Sequence, residues 1–227
     1  MVNQKGGARM TRNYFDQELQ ELQVSLLKMS SMVEETLNDS IKALKTQNVE
    51  LAQKVIDNDD VIDDMEFVVE DKCLKLIALQ SPLAKDLRII ATALKIITDL
   101  ERIADYAVDI AKITIKLSRE KYIKELIDIP RMAEIAARMV KGSIDAYVHL
   151  NVEKAYEVAK WDDEVDGLYK QIFRELLLIM MEDPKTINQA TNFLLISRYL
   201  ERIGDHVTNI CERIIYSVTS EHVNLND

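Results

Sequence analysis

The sequence predicts an all-α protein made of two three-helix bundles in tandem, and three observations carry that reading. Five glycines and three prolines in 227 residues leave too little punctuation for the many turns of a β-fold. Apolar residues recur at helical spacing over long stretches. The chain also repeats itself. Residues 29–66 match residues 132–169 at about 12 of 38 positions, at an offset of 103. Residues 94–112 match 194–212 at about 8 of 19, at an offset of 100. The offset changes near Pro82, where a loop belongs.

A floppy lead-in over residues 1–11 is expected, since MVNQKGGARM has a Gly pair and no apolar run of the kind a secretory signal needs. Six helical segments follow, at about 12–46, 48–79, 83–120, 131–149, 152–182 and 185–219. Asn48 and Asn151 are expected N-caps at equivalent places. Ser81-Pro82 and Asp183-Pro184 read as a capping residue followed by proline at the first helical position. Pro130 separates Ile129 from a segment opening at Met132. Short connections between long helices make neighbours antiparallel, so residues 12–120 form one bundle and 131–219 the other. No low-complexity linker parts them, and the repeats are expected to dock.

Composition excludes several classes of function. A formal charge of -10 gives no footprint for a phosphate backbone, so nucleic acid is not an expected partner. The longest apolar run, residues 176–181, is far short of the roughly 20 needed for a membrane span, and no membrane insertion is expected. Cys73 and Cys211 sit at apolar positions without metal-ligand spacing, and each faces an apolar or small residue in the other repeat (Leu176, Ala111). They read as packing residues in a reducing compartment.

The unusual residues are acidic. In the second segment Ala52, Val55/Ile56, Ile62, Val69, Cys73 and Leu76/Ile77 mark a core stripe into which Asp59 falls, with Asp63 one turn on. In the third, Leu87, Ile90/Ala91, Leu94 and Ile97 mark a stripe that continues into Glu101 and Asp105, and Asp109 extends it by another turn. The second repeat restates this with Asp162, Asp166, Glu201 and Asp205, and with Asn209 where the first has Asp109. Paired on adjacent helices, these residues crowd at least four carboxylates into one partly buried place per repeat. Such a cluster raises its own pKa values and calls for a cation. Carboxylates at i and i+4 project from one face, and all-oxygen ligands suit hard cations such as magnesium, or manganese and iron. A lone pair of this kind is usually a solvated helix face; two pairs, each at equivalent positions, favour a metal.

The repeat also tests other candidates. His206, beside Asp205, faces Tyr106 in the first repeat, so any role is private to the second site. His149 and His222 read as surface residues. No Glu-x-x-His pair, Gly-rich phosphate loop or nucleophile elbow is present, and nothing argues for an enzyme. The competing reading is a metal-dependent hydrolase or oxidase with a multinuclear carboxylate-bound centre.

The opening YFDQELQELQVSLLKMSSMVEETL at 14–37, LERIADYAVDIA in the third segment and the doubled acidic motifs resemble the PhoU family of phosphate transport regulators, from about residue 12 to the end. That resemblance implies paired three-helix bundles and multinuclear clusters of iron or zinc. It implies one metal site at Asp59, Asp63, Glu101, Asp105 and Asp109, and another at Asp162, Asp166, Glu201, Asp205 and Asn209. It further implies a cytoplasmic negative regulator that restrains a phosphate ABC transporter and keeps a phosphate-sensing histidine kinase quiet. Contacts with the transporter's ATPase subunit, which would hold the protein at the inner face of the membrane, and self-association as a homodimer are part of the same implication.

Overall fold

Position by position, the left-handed turns explain where the chain reverses. The structure, a computed structural model, describes residues 4–80 and 82–225. Gln47 (φ 51°) and Leu150 (φ 49°) occupy equivalent positions, each just before an asparagine N-cap. Asn48 accepts from Leu51 N–H at 2.8 Å, and Asn151 from Lys154 N–H at 2.9 Å. Each cap contributes about 1 kcal/mol, which offsets part of the cost of a non-glycine residue at positive φ.

Among the described residues the chain forms α1 (Gln4–Thr46), α2 (Val49–Asp57), α3 (Asp59–Gln80), α4 (Ala84–Leu117), α5 (Asp128–Val148), α6 (Val152–Ala159), α7 (Asp162–Glu182), a 3₁₀ turn (Pro184–Thr186) and α8 (Ile187–Thr219). One bundle holds α1 to α4 and the other α5 to α8. The bundles dock through α1 and α4 against α5 and α8, and one continuous apolar core runs through both. Tyr147, fully buried, donates its hydroxyl to Ile89 carbonyl at 3.1 Å across the junction.

Several expectations are corrected. The segments 48–79 and 152–182 are each two helices, broken at Asn58 and at Lys160-Trp161. The break lets α6 and α7 lean onto α5 at Gly142, where a Cβ would stand 2.7 Å from Val158 Cγ2. It also makes Asp59 and Asp162 the first residues of new helices, at the positive end of the helix dipole. Helix α1 already runs from Gln4, inside the supposed lead-in of residues 1–11, because no proline interrupts the segment and glycine lowers helicity without forbidding it. Pro130 lies within the first turn of α5, where its missing N–H has no intrahelical partner to lose. Leu87 and Ala91 are exposed, and the core face of α4 is carried by Ile89, Ile90, Ala93, Ile96 and Ile97. Asp183 caps as expected, accepting from Lys185 N–H at 3.0 Å; Ser81 lies outside the described residues.

Candidate metal centres

All ten acidic-site positions read from the sequence, the Asn included, are half-buried, neither core nor open surface. In the first repeat α3 supplies Asp59 and Asp63, and α4 supplies Glu101 and Asp105. Burial, and then the charges of Asp63 and Asp105, raise the pKa of Asp59. Burial and Asp105 raise Asp63, and burial, Asp105 and neighbouring acids raise Glu101 against the opposing charge of Arg102. Four carboxylates therefore share one electrostatic neighbourhood. Asp109 belongs to it through Lys112, whose ammonium lies 3.0 Å from Asp109 Oδ1 and is held charged by Asp109, Asp59 and Asp105. Arg102 reaches Asp105 at 3.1 Å and Glu101 at 3.5 Å.

The second cluster is more deeply set. Burial pushes the Asp162 carboxyl up to about 7, with Asp205, Asp166 and Glu201 adding to it. Glu201 and Asp205 are raised too, first by burial. Gly204 makes this possible. A Cβ at that position would stand 2.2 Å from Asp162 Oδ1, and the first repeat carries Ala104 there. Arg198 pairs with Glu201, and Lys170 with Asp166 at 3.0 Å. Asn209 lines the cleft between α4 and α8.

The second cluster fits a cation on grounds internal to this structure. Asp162 Oδ1 and Glu201 Oε2 are buried without a hydrogen-bond partner, a costly condition for an acceptor. Both residues line a cavity of about 270 Å³ together with Asp166 and Asp205. Among the described residues no three such side chains already converge as a coordination shell; Arg198 and Lys170 hold single carboxylates aside, and a bound cation would draw Glu201 and Asp166 away from them.

His206 turns out to face the other repeat. Its Nδ1 is 2.9 Å from Asp99 Oδ1, and Arg213 Nε stands 3.3 Å from Asp99 Oδ2 as an ion pair without hydrogen-bond geometry. Helices α4 and α8 are related by a local pseudo-twofold, so the same two positions meet again as Tyr106 and Tyr199, stacked at 5.6 Å. Sequence reasoning missed Asp99, although its replacement by Tyr199 in the repeat was the available signal. His149 is exposed, and His222, also exposed, stacks on Tyr216. Both cysteines are buried, with thiols pushed up to about 12 by burial, which suits packing rather than nucleophilic work.

Fold and clusters together define a class: tandem three-helix bundles with a half-buried carboxylate cluster at the same place in each. The PhoU domain matches residues 26–114 and 129–214. A Clostridium acetobutylicum protein described as a phosphate-specific transport system accessory protein PhoU homolog is 50% identical over 219 residues, covering 96% of this chain and 100% of that one. The crystal structure of PhoU from Pseudomonas aeruginosa is similar with a TM-score of 0.87 at 36% identity, covering 91% of this chain and all of the other. That of the phosphate transport system regulatory protein PhoU from Streptococcus pneumoniae has a TM-score of 0.86 at 31% identity, covering 92% and 99%. The chain belongs to the PhoU family.

Proposed function

We propose that this chain is an accessory protein of a phosphate-specific transport system, acting as a negative regulator of phosphate uptake and starvation signalling through protein contacts rather than by catalysis. The observation that supports this reading is 50% identity, over 96% of this chain and 100% of the other, to a protein described as a phosphate-specific transport system accessory protein PhoU homolog. Its partners are the ATPase subunit of the transporter and a phosphate-sensing histidine kinase, and it works in the cytoplasm at the inner face of the membrane, as a homodimer. No helix among the described residues is long and apolar enough to cross a membrane, which agrees with recruitment by a partner.

Asp162, Asp166, Glu201 and Asp205, with Asn209 at the edge, would hold a cation at the second cluster, and Asp59, Asp63, Glu101 and Asp105, with Asp109 at the edge, at the first. Iron or zinc, in more than one copy, or manganese or magnesium would supply positive charge that relieves both desolvation and mutual repulsion of the carboxylates. The protein's part is to fix two carboxylate-bearing helices side by side and to keep the cluster half out of water.

The test is a pull-down of the ATPase subunit and of the kinase by the purified chain, alongside phosphate uptake in cells lacking the gene. Binding to either partner, with uptake and starvation-gene expression rising in the deletion, is the expected result. Unchanged uptake and expression with no binding would end the regulatory reading. Elemental analysis of chelator-free protein tests the cation separately.

A further inference from the structure

We propose that the cleft between α4 and α8, walled at one side by the C-terminal tail, binds an organic phosphate. The anionic group would sit on Arg88, Lys95 and Arg213, with its flat body against Tyr216, His222 and Val223.

The cleft encloses about 520 Å³, within the range of roughly 300–1,000 Å³ typical of small-molecule sites. Three cations converge there in a chain of net charge -10. The two guanidinium groups are held at Nε, which leaves their outer nitrogens for a ligand. Arg88 Nε donates to Ser217 carbonyl at 3.3 Å, Arg213 Nε stands 3.3 Å from Asp99, and Lys95 has no partner among the described residues. The one acid in the wall, Glu212, is turned to the tail, accepting from Leu225 N–H at 2.7 Å. The tail reaches the cleft because Ser220 takes a left-handed conformation (φ 66°). It then lays His222 on Tyr216 at 4.3 Å, nearly parallel. An aromatic pair beside guanidinium groups suits a planar, phosphorylated ligand.

The pseudo-twofold supplies an internal control. Positions 88, 95 and 213 correspond to Asn188, Leu195 and Ile113, so the duplicated scaffold does not need cations there. The cations on the opposite side are occupied, Lys112 by Asp109 at 3.0 Å and Lys116 by Asn192 at 3.1 Å.

The experiment is calorimetric titration of the full chain with adenosine monophosphate, inorganic phosphate and adenosine, in metal-free buffer so that the acidic clusters cannot recruit phosphate through a cation. Adenosine monophosphate should bind saturably at one site. Arg88→Asn and Lys95→Leu, the residues the other repeat already tolerates, should each weaken it about tenfold or more. A chain ending at Ser220, with every helix intact, should lose the advantage of the nucleotide over inorganic phosphate. The proposal is overturned by nucleotide affinity unchanged in both variants, by the absence of saturable binding at millimolar concentration, or by phosphate binding as tightly as the nucleotide in the full chain.

Discussion

The two acidic clusters descend from one repeated motif but meet their charge in different ways. In the first, Ala104 keeps its Cβ between the helices, and Lys112 brings a resident cation to Asp59, Asp105 and Asp109. In the second, Gly204 admits Asp162 against the α8 backbone, Lys112 is replaced by Glu212, and Asp109 by Asn209. Two buried oxygens are left there without hydrogen-bond partners. The first cluster thus shares one ammonium among three carboxylates, whereas in the second Arg198 and Lys170 each hold one carboxylate and leave Asp162 Oδ1 and Glu201 Oε2 unpaired. The two clusters should accordingly differ in cation affinity, with the second the tighter.

The hardest test of that ordering removes a ligand from each. Glu201→Ala, which deletes the carboxylate bearing one orphaned oxygen, should lower manganese affinity at the second cluster by on the order of 100-fold. Glu101→Ala should cost much less, and calorimetry resolves the two classes of site. Equal losses would break the comparison. Gly204→Ala asks the same question through sterics. A Cβ within 2.2 Å of Asp162 Oδ1 must push that carboxylate outward, so second-cluster affinity should fall about tenfold while the first is untouched.

Much of this was legible in the residues. The duplicated acidic motifs, the asparagine caps and the docking of the repeats follow from periodicity and self-alignment, because a helix transmits sequence spacing directly into a shared face. The helix breaks ahead of Asp59 and Asp162 were not legible. Neither Asn58 nor Lys160-Trp161 is a helix breaker; in the second repeat the bend goes with the close approach of Val158 and Trp161 to Gly142, a contact made only in the folded chain. The role of Asp99 was hidden for a related reason: its partner His206 lies 107 residues away across the bundle interface. Leu87 and Ala91 fit the apolar stripe by spacing, yet they face a cleft, since periodicity fixes which face is apolar without saying whether another helix covers it.

Lys112→Gln sharpens the comparison from the other side. Removing the ammonium deprives Asp59, Asp105 and Asp109 of the charge they share. Manganese affinity at the first cluster should therefore rise about fivefold to tenfold, as for loss of a competing charge in a half-exposed site. An unchanged affinity would show that Lys112 serves Asp109 alone.

The smallest effect concerns protons. Asp162 titrates near 7 in the folded chain against a model-compound value of 3.8, so between those values the native state holds a proton that the unfolded chain has released. Stability of the metal-free protein should accordingly fall as pH rises through that window, with the full penalty present above about 7. Discounted for solvent screening, the penalty is about 1 kcal/mol, or roughly 2–4 °C in Tm for a chain of this length. Asp162→Asn should recover that amount at pH 8 and nothing at pH 4, as read by calorimetric melting in chelator. Asp59→Asn, at a carboxyl on which the Lys112 ammonium acts directly, should recover less. Equal recovery in the two variants would mean that neither Gly204 nor Lys112 sets the two carboxyls apart, and the contrast between the clusters would fail.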